Sequence, residues 1–498
     1  MEATATHSRR LVAVPFPEID APRLCLVLFS IAFFAFSLIH PTDPDYWWHL
    51  RTGELIVETK AVPQTDPFSF TAEGEPWIAH EWLSELVIYG VESAGGYAAN
   101  VLLFSAIALA ALLVAYRTAI GFGVSRWLAV LFFVWAGFMS SPYWVVRPQA
   151  FTWLFFALFV AVCVGHSSGK GRLWALPVLM VLWANLHGGY VFGLGVVGLY
   201  TLALIGERLL WHSQTELKPV LLALAGCFAA TLISPNPVEL LLYPFEYLRP
   251  GNASMALISE WQSPDFHSPL FVPLAVALVT LIGIGVFGGR KELFLPLLTL
   301  CFAFFALQSL RNQPLFAMVF LIMASARCVE RFDWARLRPS AAEVRSVING
   351  ALIVAVAIAV VVVMARSGVH QVTREARTDG VLGYPSEGVA FIQTHYPEAR
   401  LFNDYGWGGY LIQELYPQKV FIDGRADVYG DTLMQRYQDV MGLHRNWRLI
   451  LEQHGIDLII IEANSALAER LDAETGAWRR VFTGPVEAIF VRTAVASP

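Results

Sequence analysis

Residues 24–50 read LCLVLFSIAFFAFSLI followed by HPTDPDYWWHL, an apolar run that ends in a proline and two carboxylates. The sixteen residues from Leu24 to Ile39 carry no charge, and Asp43-Pro44-Asp45-Tyr46-Trp47-Trp48-His49-Leu50 follows almost at once. Such a run approaches the ~20 residues that a helix needs to cross hydrocarbon. Arg9, Arg10 and Arg23 precede it, as in a signal peptide, but no small-x-small cleavage pattern follows. The run is therefore read as an uncleaved first span.

Further apolar runs fall at roughly 97–116, 124–141, 149–166, 172–186, 188–211, 218–234, 269–289, 292–308, 312–328 and 346–366, which makes about eleven candidate spans. The composition agrees: 56% of residues are apolar and 15% are charged, with a mean hydropathy of +0.54, whereas a soluble chain carries about 25% charge. A net charge of −6 gives no footing for nucleic acid, and that partner class is set aside. Cys25, Cys163, Cys227, Cys301 and Cys328 all lie in or beside apolar runs and read as small apolar fillers rather than a disulfide framework.

Lys and Arg set the orientation. With the N-terminus cytoplasmic, sixteen of them fall on the inner side: Arg9, Arg10, Arg23, Arg117, Arg126, Lys170, Arg172, Arg208, Lys218, Arg290, Lys291, Arg327, Arg331, Arg336, Arg338 and Arg345. The outer loops hold only Arg51, Lys60, Arg147, Arg249 and Arg311. Eleven spans then place the tail outside. The expected layout is a transmembrane domain over 1–368, with outer loops at 41–96 and 235–268, and an extracytoplasmic α/β domain over 369–498. In the tail, Ser386 is placed to cap a helix reaching His395. Strands are expected near Arg400–Phe402, Lys419–Ile422 and Asp457–Ile461, with a closing hairpin across Gly484-Pro485.

The chemistry gathers on one side. Asp43, Asp45 and His49 suit proton abstraction from a hydroxyl, or cation binding beside a phosphate; equally, Asp43 and Asp45 could cap a helix starting near Tyr46. Trp47, Trp48, Trp77 and Trp82 suggest segments at the headgroup level. His80 and Glu81 lie among these aromatics, a composition that suits sugar faces. Arg147-Pro148-Gln149, Asn185-Leu186-His187-Gly188-Gly189, Glu260-Trp261 and Arg311 are polar groups at the outer ends of spans, where such groups are functional candidates. The tail adds Trp407-Gly408-Gly409-Tyr410 and Asp423-Gly424-Arg425-Ala426-Asp427, read either as a ligand loop or as a turn in which Arg425 pairs with an aspartate. Asn252-Ala253-Ser254 is a sequon on the outer side. Asp43, Asp45, Arg147, His187 and Arg311 should converge on one cavity if the chain is an enzyme, and scatter if it is a scaffold.

With these residues in view, the chain resembles the GT-C membrane glycosyltransferases, which include protein O-mannosyltransferases and aminoarabinose transferases. The shared plan is a multi-span bundle with an acidic motif just after the first span, here Asp43-Pro44-Asp45. More narrowly it is similar to a group of bacterial membrane proteins that share the Asp43–Leu50 loop, Asn185–Gly189, Trp407–Leu411 and Phe421–Arg425. The resemblance implies a bacterial inner-membrane enzyme that moves a sugar from a polyprenyl-phosphate donor to a glycan, lipid or protein acceptor with inversion. Asp43 or Asp45 would be the catalytic base or would hold a divalent cation. His49, His80, Glu81, Arg147, Asn185, His187, Arg311, Asp423 and Arg425 would contact substrate, with Arg147 or Arg311 on the lipid phosphate because guanidinium matches phosphate geometry. A flippase for a lipid-linked glycan is a second reading, and a membrane scaffold with a partner-binding tail a third; no paired discontinuous spans favour the flippase.

Reporter fusions after Gly90 and at Pro498 should both report the side opposite the cytoplasm. A cytoplasmic C-terminal signal would mean that the span count is wrong by an odd number.

Overall fold

The computed structural model describes residues 19–38, 43–246, 258–287, 291–331, 350, 352–358, 383–474 and 476–493. Arg9, Arg10, Arg249, Arg290, Arg336, Arg338, Arg345, the sequon at Asn252, most of the 346–366 run and the 368/369 junction lie outside the described residues.

The first helix, α1 (Ala21–Ser37), starts where Asp20 accepts the Arg23 N–H at 3.0 Å and Pro22 tolerates the first turn. Next come α2 (Tyr46–Thr59), α3 (Trp82–Ile120), α4 (Arg126–Ser140), α5 (Gln149–Ser167), α6 (Ala175–Leu186), α7 (Tyr190–Trp211), α8 (Lys218–Thr231) and α9 (Pro237–Glu246). The bundle is completed by α10 (Val272–Ile284), α11 (Phe294–Gln308) and α12 (Gln313–Arg331). Among the described residues, four helical stretches are long and apolar enough to cross a membrane: Trp82–Ile120, Gln149–Ser167, Tyr190–Trp211 and Leu310–Glu330. Five shorter apolar ones accompany them. The last of the four is almost wholly enclosed by the others. Outward-facing positions stay apolar, as with Leu209 at 74% and Ile282 at 77% exposure, a pattern that suits lipid rather than water. The chain is a membrane protein, mostly helical.

The 97–116 run is the second half of a longer helix. Gly96 adopts φ +70° and breaks α3, so residues 82–95 form a separate arm that packs with α2. The expected loop 41–96 therefore contains two helical stretches, 46–59 and 82–95, joined by a non-helical segment.

Near the C-terminus stand α13 (Ser386–His395), β1 (Leu401–Asn403), α14 (Gly408–Leu415), α15 (Ala426–Met441), α16 (Trp447–Gln453), β2 (Leu458–Glu462), α17 (Ala466–Ala473), β3 (Trp478–Thr483) and β4 (Glu487–Arg492). The sheet order is β1-β2-β4-β3, with β1 parallel to β2 and the remaining pairs antiparallel. Side chains alternate faces along a strand. Phe402, Ile459, Ile461 and Phe490 pack with Tyr437, Val440, Trp447 and Leu467 in the tail's own core. Leu401, Leu458, Ile460, Ile489 and Val491 join a core continuous with α2 and the membrane helices. One sheet face thus serves the tail and the other ties it to the bundle.

Two local expectations change. Lys419–Ile422 forms no strand within the sheet; Val420 instead bridges Ser69 in the loop after α2, with Val420 N–H on Phe68 O at 3.0 Å and Phe70 N–H on Val420 O at 3.2 Å. Ser386 is the first residue of α13, and its side chain caps nothing there; Pro385 occupies the cap position. The tryptophans also differ from headgroup anchors. Trp47, Trp48 and Trp77 are buried, because the tail covers them: the Trp47 ring meets Tyr384 and Tyr410 at 5.5 and 5.2 Å.

The seam is pinned by Arg425. Its Nη1 lies 2.7 Å from Asp66, its Nε and Nη2 fork onto Asp423 at 2.8 and 2.7 Å, and Tyr429 also donates to Asp423. The ring of Trp77 lies beneath, 4.6 Å from the guanidinium. Removing one partner of a buried ion pair typically costs ~3–5 kcal/mol. Arg425→Ala should therefore lower the unfolding midpoint and expose the tail to protease, measured by thermal unfolding and limited digestion. A variant as resistant as the parent would show that the seam does not depend on this charge.

Candidate active site

The proline after Arg147 restrains the arginine backbone to an extended form, just before α5. From there its guanidinium faces three carboxylates: Nε is 3.2 Å from Asp43 Oδ1, Nη2 bonds Asp45 Oδ2 and Nη1 bonds Glu260 Oε1. Asp45 sits at the cap position of α2, yet its side chain makes no capping bond; the carboxylate is turned to Arg147 instead. Asp43 accepts the Asp45 N–H at 2.9 Å and so closes its own turn. Burial pushes the Asp43 carboxyl up to about 7, with the neighbouring Asp45 and Glu260 charges adding to it and Arg147 opposing it. Glu260 moves the other way: burial raises it, but Arg147 and Arg311 together hold it below the usual range.

Arg311 stands apart. Its guanidinium lies over the Trp261 ring at 5.2 Å, and among the described residues it has no carboxylate in ion-pair reach. The Leu310 N–H on Gln262 O and the Ser309 hydroxyl on Glu260 O, at 3.0 and 2.9 Å, fix its short helical turn to the Glu260 segment.

Opposite this group is a cluster of imidazoles around Glu81. His187 Nε2 lies 3.3 Å from Glu81 Oε1, His80 Nε2 3.6 Å from the same oxygen, and His49 Nε2 3.6 Å from Oε2. His49 Nδ1 also faces Glu85 at 3.5 Å. Gly189 N–H donates to His187 Nδ1 at 2.9 Å and the Thr152 hydroxyl lies 2.8 Å from it. Nδ1 is thereby the acceptor, and the proton is assigned to Nε2, toward Glu81. Burial lowers His187 to about 3, so it stays neutral. Burial also works against charge on His80, but the Glu81 carboxylate outweighs it and raises His80 to about 9. The His80 ring stacks beside Tyr243 at 4.4 Å, and Asp427 of the tail faces it.

Both groups line one cavity of about 280 Å³. Asp43, Asp45, His49, His80, Glu81, Arg147, His187 and Arg311 all reach it, and Gly424 to Asp427 of the tail form part of its wall. A Cβ at Gly409 would come within 2.6 Å of Pro44 O, and one at Gly424 would fall on Asp45 Oδ1; here the tail backbone needs glycine to approach α2 closely. Asn185 and Asp423 do not line the cavity. Asn185 accepts from Trp82 Nε1 and donates to Val181 O and Ile233 O, all within 2.8 Å, which ties three segments together. Asp423 is taken up by Arg425 and Tyr429, and Arg425 touches the cavity with its guanidinium already committed.

Glu85 and Tyr243 were not singled out from sequence. Glu85 is four residues after Glu81, one turn along the same helical face, a signal that was legible. Tyr243 became a site residue only through tertiary packing, whereas Asp427 belongs to the Asp423–Asp427 loop read as a candidate from sequence. The carboxylates of Asp43, Asp45 and Glu260 are matched to one guanidinium. Among the described residues no group of three or more His, Cys, Asp or Glu side chains is arranged to hold a metal ion. A divalent cation at Asp43 and Asp45 would have to displace Arg147.

Because His80 is raised in the folded state, its protonation stabilises the fold fully below its ordinary value of 6.5, and that stability is lost as pH rises through about 9. Glu81→Gln should bring the His80 titration down toward its ordinary value and flatten the stability profile between those two pH values. Histidine proton NMR across pH 5–10 reads this directly, and an unchanged His80 midpoint would refute the pairing.

No family model matches the chain, and no curated protein matches it by sequence. Solved structures do match. The oligosaccharyltransferase AglB of Archaeoglobus fulgidus, in complex with an inhibitory peptide and a dolichol-phosphate, aligns over 95% of this chain and 74% of its own at 10% identity, with a TM-score of 0.56. ArnT from Cupriavidus metallidurans aligns over 95% and 98% at 15% identity, with a TM-score of 0.50. The arabinofuranosyltransferase AftD from Mycobacteria, as an R1389S mutant, aligns over 94% and 41% at 12% identity, with a TM-score of 0.51. These likenesses, spread along nearly the whole chain, give it the fold of the GT-C membrane glycosyltransferases.

Proposed function

We propose that the protein is an inverting glycosyltransferase that moves a sugar from a polyprenyl-phosphate donor to an acceptor hydroxyl. The observation that carries this reading is the meeting, in one cavity of a GT-C-like fold, of a buried acidic pair with a guanidinium that has no carboxylate in ion-pair reach among the described residues. The donor class draws support from AglB, which was solved with a dolichol-phosphate.

In this reading the acceptor hydroxyl attacks the anomeric carbon from the face opposite the phosphate. The new C–O bond forms as the bond to the phosphate oxygen breaks, and the hydroxyl proton passes to Asp43. Asp43 suits this role because burial holds its carboxyl at about 7, close to working pH. Asp45, fixed by Arg147, supplies negative charge beside the developing oxocarbenium. Arg311 receives the departing phosphate, since among the described residues no carboxylate lies in ion-pair reach of its fork. His80, Glu81 and Asp427 form the wall that contacts the sugar or the acceptor. The membrane supplies the donor, and the tail closes the cavity over it.

Turnover of a panel of polyprenyl-phosphate sugars by purified protein tests this, with and without a chelator. Asp43→Asn should lower kcat by about 10²–10⁴-fold, the usual size of a general acid–base contribution, and should erase an acidic limb near pH 7 in the parent's profile. Arg311→Ala should raise KM for the donor while leaving KM for the acceptor unchanged. Near-normal turnover by both Asp43→Asn and Asp45→Asn would end the catalytic assignment.

A further inference from the structure

Three carboxylates meet the Arg147 guanidinium, and they are not held alike. Asp43 also accepts the Asp45 N–H at 2.9 Å, and the Gly424 backbone closes against Asp45 Oδ1. The side chains of these two aspartates are 10% and 14% exposed. That of Glu260 is 35% exposed, and among the described residues its carboxylate bonds Arg147 Nη1 and nothing else. Glu260 is therefore the member of the group that can turn away without breaking a second contact. Its backbone need not follow, because the Ser309 hydroxyl donates to Glu260 O at 2.9 Å and the Leu310 N–H to Gln262 O at 3.0 Å. Rotation about the side-chain bonds suffices, a fast motion for a part-exposed residue.

The place that Glu260 holds suits a phosphate. Arg311 lies over the ring of the next residue, Trp261, at 5.2 Å, and both guanidinium charges act on the Glu260 carboxylate. An anion put there in its stead faces Arg147 Nη1 and Arg311 together, and a guanidinium forks onto phosphate oxygens as it does onto a carboxylate. All three side chains line the cavity, so the place is reached from within it. Charge decides which phosphate is kept. A phosphodiester between sugar and lipid carries one negative charge, as Glu260 does, so the exchange leaves the balance around Arg147 unchanged. The lipid phosphate released by transfer carries about −1.5 to −2 near pH 7. Asp43 and Asp45 repel that extra charge, and the Glu260 carboxylate competes with it for Arg147.

We propose that Glu260 is a displaceable stand-in for the donor phosphate: it occupies Arg147, yields it to the incoming phosphodiester, and returns to expel the more highly charged product. This rests on the glycosyltransferase reading and adds Arg147 to Arg311 as a phosphate contact.

The sign of one substitution separates this role from a structural one. Removing a residue that merely shapes the cavity weakens ligand binding, whereas removing a competitor strengthens it. The full-length protein in detergent is titrated with polyprenyl phosphate, and with a polyprenyl alcohol of the same length, by the quenching of tryptophan fluorescence. Glu260→Gln should bind the phosphate about tenfold tighter than the parent, the size of one charge-assisted contact that no longer has to be displaced. Binding of the alcohol should not change. Glu260→Ala, which also removes the amide that could lean on Arg147, should bind the phosphate at least as tightly. Binding of the phosphate that is unchanged or weaker in both variants, or an equal gain for the alcohol, would overturn the proposal. If the gain is present but the parent turns over no sugar-bearing lipid, the glycosyltransferase reading falls and the phosphate exchange at Glu260 stands.

Discussion

Arg425 carries the charge on which the arrangement of the molecule turns. It is buried between Asp423 of its own loop and Asp66 of the segment after α2, with the Trp77 face against it. Burying a guanidinium and two carboxylates is costly unless each is paired and hydrogen-bonded. Here the pairing is completed only when the tail and the loop meet, so the ion cluster specifies one docked geometry. Apolar area adds to it: alternate residues of β1, β2 and β4 face the helices around α2. Together these contacts press Gly409 and Gly424 onto the acidic turn after α1. The active-site reading depends on that pressure, because Gly424 bounds Asp45 and the first turn of α15 just after it carries Asp427 to the cavity.

The same cavity holds two charge arrangements with different characters. Around Arg147 the carboxylates outnumber the cation, which keeps the guanidinium fixed and leaves Asp43 the member raised by burial. Around Glu81 the imidazoles outnumber the carboxylate; Glu81 holds His80 charged against burial, while burial keeps His187 neutral. Pairs of titratable groups pushed apart by their surroundings mark acid and base roles in enzymes. Arg311, over the Trp261 ring and with no carboxylate in ion-pair reach among the described residues, is the contrasting case.

Much of this was legible in the sequence, and the parts that were not share a cause. The acidic pair after an apolar run, the Arg147-Pro148 step into a span and the His187-Gly188-Gly189 junction all announce themselves locally through residue type and position, and they converge. The tail's strand–helix pattern and its hairpin at Gly484-Pro485 also follow from local periodicity. Partners far apart in the chain did not show. Val420 reads as strand, but nothing near it names Ser69 as its neighbour. Asp423-Gly424-Arg425 reads as a ligand loop or a structural turn with equal ease until Asp66 is seen beside it. Trp47 and Trp48 have the composition of a headgroup belt, and only the tail's position converts them into a packed floor.

One feature of the seam concerns time rather than space. The wall of the cavity joins Asp43 and Asp45 to Gly424 and Asp427, at opposite ends of the sequence. At bacterial or eukaryotic synthesis rates of about 5–20 residues per second, roughly 20–80 s separate the two ends. In the later part of that interval the acidic turn and Arg147 have both been made, while Gly424 is not yet against Asp45. A chain not yet made as far as Gly424 therefore carries the carboxylates without the tail's part of the cavity wall.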